Sequence, residues 1–397
     1  MEKLHQKFLK KIDNVDLSFV RSFTNKVNWE NRLIEIKGAR GVGKTTLLLQ
    51  YIKKKLPQDN QTMYVSLDDI YFSANTLVDF VDSFVKNGGQ YIFLDEVHRY
   101  KNWSAELKNI YDDYPELKVV YTGSSIIHIK KSGADLSRRS VLYTMKGLSF
   151  REFILFNKKI DFPVYKLSDL LENHVEISRE IVKQIKPIVL FNEYLKIGYY
   201  PYFIESINEY HQKLAETINT VLEVDIPYME DINFSSVSKL KKLLYVIATS
   251  VPFKPNIQNL SEKTGITRNT ILLFLNYLND AQIINLLYDD AKGVSILQKP
   301  EKIYLHHPNL QFALAPENIN VGSMRESFFF NQVSDLHNIN YTDKGDFLVD
   351  NKFTFEVGGK NKTKKQIAEV KNAYVVSDDL EIGYNQKLPL WLFGFLY

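Results

Sequence analysis

The chain has no cysteine in 397 residues. Disulfide staples, thiolate zinc sites and a cysteine nucleophile are therefore excluded, and a reducing setting such as the cytoplasm is expected. Long apolar runs are missing too. The longest candidates, TILLFLNYL and PLWLFGFLY, fall far short of the ~18 residues a membrane span requires. Both read as core, and no membrane partner is expected. The opening MEKLHQKFLK is charged and lacks the apolar centre of a signal peptide. No internal repeat and no low-complexity tract is visible. Charge of one sign is not in excess: 50 Lys and Arg against 47 Asp and Glu leave a formal +3. That balance does not by itself call for nucleic acid.

What remains is 45% apolar and 24% charged, the composition of a globular protein too long for one ordinary domain. The most informative stretch is GARGVGKTT, residues 38–46. Gly38, Gly41 and Gly43 permit a tight loop whose N–H groups converge on phosphate oxygens, so the whole run Gly38, Ala39, Arg40, Gly41, Val42, Gly43, Lys44, Thr45 and Thr46 is the expected nucleotide cradle. Lys44 is placed to reach the β- and γ-phosphates, and Thr45 to put its hydroxyl on Mg²⁺. The context agrees. RLIEIK (32–37) reads as a strand entering the loop, and the run from Lys44 to about Leu56 reads as a helix that Pro57 ends.

A second cluster follows in YIFLDEVH (91–98). A buried strand that runs into a carboxylate pair is costly unless a cation or water meets it there. Asp95 fits a partner for Mg²⁺, and Glu96 fits the base that orients an attacking water. KVVYTGSS (118–125) reads as a further strand ending in hydroxyls, with Ser124 or Ser125 expected between the acids and the γ-phosphate. Arg138 and Arg139 follow in DLSRRS; an arginine from a neighbouring subunit could neutralise transition-state charge. His98 reads as structural. The nucleotide is expected to be ATP, since no Asn-Lys-x-Asp stretch offers a guanine pocket; NKKID (157–161) has its acid one place too late.

Strands at 32–37, 62–69, 91–98, 118–125 and 141–148, alternating with helices, predict an α/β fold: a parallel sheet with helices on both faces and its ligand site beyond the strands' carboxyl ends. The expected division is 1–155 for this P-loop ATPase domain, 156–235 for a helical connector, 236–310 for a winged helix and 311–397 for a small α/β domain.

Together GARGVGKTT, YIFLDEVHRYKNW, VVYTGSS and LSRRSVLYTMKGLSFREF resemble a family of bacterial and archaeal ATPases of the AAA superfamily. The likeness extends through FNEYLKIGYYPYF and the winged-helix segment to GDFLVD and FEVGGKNK. It implies nucleotide and metal roles for Lys44, Thr45, Asp95 and Glu96. It places Arg139 at the arginine of that family's Gly-Arg step, where Arg138 replaces the glycine. A homo-oligomer and a DNA or protein partner are compatible with it, but it supplies no substrate.

The closing unit resembles the core of restriction-type nucleases, in which a helix acid, an Asp and a Glu-x-Lys bind Mg²⁺ and activate water. Glu326, Asp346 and Glu356 occupy the acid positions, Gly358 stands where the lysine should, and Lys360 is the nearest substitute. An inactive nuclease-like scaffold is expected. In the winged helix, ITRNTILLFLNYL offers only Arg268, Asn269 and Asn276 to a base edge, so protein packing is favoured over DNA reading. The alternatives to an ATPase-driven switch are a nucleotide-gated DNA-binding protein and a metal-dependent DNA nuclease.

Overall fold

The structure is a computed structural model that describes residues 1–125, 136, 138–230, 232–250, 254–289 and 298–397. Contacts divide the chain into Met1–Gly147 and Leu148–Tyr397. Among the described residues no helix is long and apolar enough to cross a membrane.

In the first unit, α1 (Glu2–Asp13) precedes β1 (Leu33–Gly38), α2 (Lys44–Lys55), β2 (Thr62–Ser66), α3 (Leu77–Lys86), β3 (Tyr91–Asp95), α4 (Trp103–Asp113), β4 (Lys118–Ser124) and β5 (Val141–Thr144). The strands form one sheet in the order β2-β3-β4-β1-β5. Every pairing in it is parallel. The expected architecture is present. Right-handed crossovers explain the layering. The step from β1 to β2 runs one way across the sheet and those from β2 to β3 to β4 run back, so α2 lies on the opposite face from α3 and α4. In agreement, α1 packs on α2 and α3 packs on α4.

Burial on two sides makes the strands apolar. Ile34, Ile36, Ile92 and Leu94 are fully buried, each contributing about 1.5–3 kcal/mol relative to exposure. Helix α3 starts at Thr76, whose hydroxyl accepts from the Asp79 N–H, and turns Leu77, Phe80, Val81 and Phe84 inward. Arg21, buried in the segment before β1, donates to Val42 O of the glycine loop at 3.2 Å and to the Lys146 and Gly147 carbonyls at 2.6 and 2.8 Å.

The second unit opens with a capping box, Ser149 with Glu152, on helix Phe150–Lys158, and continues through helices Leu167–Val182, Pro187–Ile197 and Tyr210–Thr220. Helices Phe234–Ser250, Ile257–Thr264 and Arg268–Asp280 are followed by an antiparallel ribbon of β6 (Ile284–Leu287) and β7 (Lys302–Leu305). The charged turn expected between these two strands, residues 290–297, lies outside the described residues. Helix Arg268–Asp280 buries Ile271, Leu272, Phe274, Leu275, Tyr277 and Leu278, while Asn276 donates to its own helix at Leu272 O. Only Arg268 and Asn269 of the three expected base readers are exposed.

Helix Val321–Val333 leads into a mixed sheet of order β12-β11-β10-β9-β8. β8 (Ile339–Asn340), β9 (Phe347–Val349) and β10 (Phe353–Gly358) pair antiparallel, and β11 (Ala373–Ser377) and β12 (Lys387–Pro389) continue in parallel. The β9–β10 connection, residues 350–352, holds Asp350 and Asn351 at positive φ, 52° each, a backbone region that tight hairpin turns use. The aromatic stretches are core: Tyr199, Phe328, Phe329, Trp391 and Phe393 are all at most 1% exposed.

Candidate functional site

The glycine loop joins the central strand β1 to α2. Gly41 and Gly43 take φ of 85° and 96°, which L side chains rarely adopt. That left-handed geometry aims the following backbone, and the positive end of a helix of 12 residues, at one point above the sheet. Gly38 is tight for another reason: a Cβ there would lie 2.2 Å from the Met145 carbonyl oxygen. The Lys44 ammonium is buried inside the loop, donating to Gly38 O at 2.9 Å and Ala39 O at 3.0 Å. Thr46 is exposed at the first turn of the helix.

Thr45 turns toward the neighbouring acids. Its hydroxyl donates to Asp95 Oδ2 at 2.6 Å. The same oxygen accepts the Tyr64 hydroxyl at 2.7 Å, and Oδ1 accepts from Thr122 and from the Glu96 N–H at 3.2 Å. Asp95 is 2% exposed, so its charge is held by this ring of donors rather than by solvent. Tyr64 titrates well above its ordinary value because it is buried and faces the Asp95 charge.

Glu96 takes φ 53°, ψ 40°, a left-handed conformation that costs a side-chain-bearing residue about 1 kcal/mol or more. It lets the Glu96 N–H reach Thr122 Oγ1 at 3.1 Å. Backbone strain beside a carboxylate pair is a common mark of a working site. His98 Nε2 lies 3.4 Å from Glu96 Oε2. The contact is too loose to count as a hydrogen bond, and it is not an ion pair either, because burial, then Arg99, Lys44 and Arg40, push the imidazole down to about 3.

Ser124 ends β4 in register with Gly38, and both it and Ser125 are buried. The Ser125 hydroxyl has no hydrogen-bond partner. Arg139 is placed elsewhere. It precedes β5, at the amino end of the sheet, and grips Asp112 of α4 with Nε and Nη2 at 3.0 Å each. About five residues of strand at ~3.3 Å each separate that edge from the loop, so Arg139 does not serve the phosphate loop of its own chain.

A cleft of 520 Å³ opens over these groups, lined by Lys11, Arg40, Thr45, Tyr64, Ser66, Asp68, Asp95, Glu96 and Arg99. Lys11, Tyr64, Ser66 and Asp68 were not expected there. Tyr64 and Ser66 alternate along β2 beside Asp95, a period-two signal that could have flagged them. Lys11 comes from α1 and carried no local signal.

In the second unit, Glu326 and Asp346 meet at one cation, and Glu356 meets another. Their cations differ from the expectation. Lys302 of β7 lies 3.5 Å from Glu326 Oε2 and 3.3 Å from Asp346 Oδ1. Lys362, not Lys360, pairs with Glu356. The physical reason is Gly358, where an added Cβ would meet the Lys362 side chain at 2.7 Å; the missing side chain is the space that the Lys362 stem fills. Lys360 is exposed and offers its carbonyl to Lys387.

The sheet order, the glycine loop and the Thr45–Asp95 contact define the first unit as a P-loop domain of mixed α/β fold. Residues 30–154 match the AAA domain family, and residues 188–317 match a domain of unknown function, DUF8612. An uncharacterized protein of Methanocaldococcus jannaschii is 23% identical over 411 residues, covering 93% of this chain and 85% of its own. Among solved structures, AMPPCP-bound DnaA from Aquifex aeolicus is 16% identical and covers 69% of this chain and 85% of that one, with a TM-score of 0.25. The Hsp104–ADP complex of S. cerevisiae is 15% identical and covers 66% and 38%, with a TM-score of 0.28. Overlap that loose supports nothing about activity.

Proposed function

We propose that this chain binds ATP with Mg²⁺ in the cleft over the glycine loop, hydrolyses it, and uses turnover to switch conformation between its two units. The observation that carries the reading is the 2.6 Å contact between Thr45 of the loop and Asp95 of a separate strand. It brings two distant motifs to one point with the hard oxygen donors that Mg²⁺ prefers. Among the described residues no three His, Asp or Glu side chains group to hold a metal, so an ion here needs phosphate oxygens and water to complete its shell. When bound, Mg²⁺ supplies charge neutralisation at the phosphates.

The chain's own residues then divide the work. Backbone N–H groups of residues 41–46 and the Lys44 ammonium hold the phosphates. Thr45 and Asp95 set the position of the ion, with Tyr64 and Thr122 orienting Asp95. Glu96 orients and deprotonates the attacking water, the Ser124–Ser125 end of β4 contacts the γ-phosphate, and Arg40, Arg99 and Lys11 add positive potential at the cleft. Placement of Arg139 at the far end of the sheet supports a homo-oligomer in which it reaches the phosphates of an adjoining copy.

Steady-state ATPase assays test the first part. Lys44→Ala should abolish nucleotide binding. Glu96→Gln should retain binding and lose about 10²–10⁴-fold in turnover, the range for a positioned base. Equal rates in wild type and both variants would overturn the proposal. For the assembly, Lys44→Ala chains mixed with Arg139→Ala chains should recover activity that neither has alone; no recovery at any ratio rejects a role across copies.

A further inference from the structure

The acids of the second unit enclose a position that a lysine fills from outside their own sheet. Lys302 and Tyr304 alternate on β7 and so share one face of the ribbon. From that face the Lys302 ammonium reaches Glu326 on helix Val321–Val333 and Asp346 beside β9, at 3.5 and 3.3 Å. Tyr304 donates to the same Glu326 oxygen at 2.6 Å. Asp346 Oδ2 accepts the Val357 N–H at 2.9 Å, which leaves Oδ1 turned to the ammonium. The side chains of Lys302, Glu326 and Asp346 are 13%, 14% and 16% exposed.

A second observation points to a ligand position. Glu356 is 1% exposed and gives one oxygen to Lys362, while its Oε2 is buried with no hydrogen-bond partner. Its carboxyl is close enough to Asp346 and Lys302 to feel both charges. A buried carboxylate oxygen with nothing to accept is costly and marks a place where a cation or donor fits.

We propose that Lys302 is the resident cation of a latent divalent-metal site formed by Glu326, Asp346 and Glu356, and that the site stays closed to metal while β7 holds its place. The ammonium supplies one positive charge at the point where two carboxylate oxygens converge, and its bulk excludes a hydrated ion. As arranged, no three acidic or histidine side chains among the described residues group to hold a metal. Withdrawing the ammonium leaves Glu326 and Asp346 facing each other unneutralised in a largely buried position. Their repulsion is relieved by a proton or by a cation. Metal uptake is read in mildly alkaline solution, where protons compete least for carboxylate oxygens. Occupancy of the site and the position of the winged-helix ribbon then exclude one another.

The test uses the full chain without nucleotide, Mn²⁺ as the probe, and free Mn²⁺ read by electron paramagnetic resonance at pH 8. Lys302→Ala should take up one Mn²⁺ more than wild type, at least tenfold more tightly than any wild-type uptake at the same cluster. Lys302→Arg, which keeps the cation, should match wild type. The double variant Lys302→Ala with Asp346→Asn should lose the gain. Wild type binding as tightly as Lys302→Ala overturns the proposal, and so does a folded Lys302→Ala that gains nothing. If Lys302→Ala does not fold, Lys302→Met, which retains the stem, is judged by the same two criteria. None of these outcomes depends on ATP hydrolysis in the first unit.

Discussion

Replacing Asp95 by alanine should destabilise the first unit even with no nucleotide present. Acids in binding sites often do the opposite, since they are retained for function and their removal relieves crowding. Here the carboxylate is surrounded by donors: the hydroxyls of Thr45, Tyr64 and Thr122 and the Glu96 N–H. Tyr64 is 3% exposed and Thr122 is fully buried, so water does not replace the lost acceptor. Each buried group left unsatisfied costs about 1–3 kcal/mol. Two such groups, less the relief of no longer burying a charge, give a net loss of about 3 kcal/mol. With a urea dependence of about 2–3 kcal/mol/M for a unit of this size, the midpoint should fall by about 1 M. The assay is equilibrium urea unfolding followed by tryptophan fluorescence in a Trp391→Phe background, where the remaining Trp29 and Trp103 both lie in the first unit. An Asp95→Ala midpoint equal to or above its parent would refute the reasoning, because it would mean the ring of donors contributes nothing to the fold.

Two further outcomes follow from the same unit. His98 is buried neutral with its titration pushed down to about 3, so the unfolded chain binds its proton first, near the ordinary value of about 6.5. Its contribution is therefore complete above that pH and is lost as pH falls toward 3, by up to ~1.4 kcal/mol per pH unit. Replacing His98 by Asn should flatten the loss of stability between pH 6 and pH 4 by that amount, and identical slopes in parent and variant would reject the assignment. Gly38→Ala should cost about 3 kcal/mol or more, because the new Cβ meets a backbone carbonyl that has no room to move. An unchanged thermal midpoint would show that the β1–β5 contact at Met145 yields.

Features carried by consecutive residues were legible before the fold was known. GARGVGKTT announced its loop because glycine at fixed offsets has a backbone meaning, and YIFLDEVH announced its acids because an apolar strand rarely ends so abruptly in charge. The parallel sheet followed from the alternation of strands with helices, whereas the order of its strands was not legible. Partners that arrive by packing were not legible. Nothing local in MEKLHQKFLKK says that Lys11 borders the cleft, and nothing in EKIYL says that Lys302 lies between an acid on a later helix and an acid beside β9. Lys362 was hidden for a third reason: a lysine six residues beyond Glu356 reaches it only because Gly358 leaves space for its stem. The position of Arg139 depended on which end of the sheet begins β5, which residue spacing does not encode.

Arg21 gives the glycine loop a mechanical consequence. One guanidinium clasps Val42 within the loop and the two residues that close the first unit, Lys146 and Gly147. A rigid, planar fork cannot lengthen, so a shift of the loop backbone at Val42 is delivered to the point where the chain departs for the second unit. Strain at the glycine loop thus has a direct tether to the exit, beside the contact that Gly38 and Lys37 make with Met145.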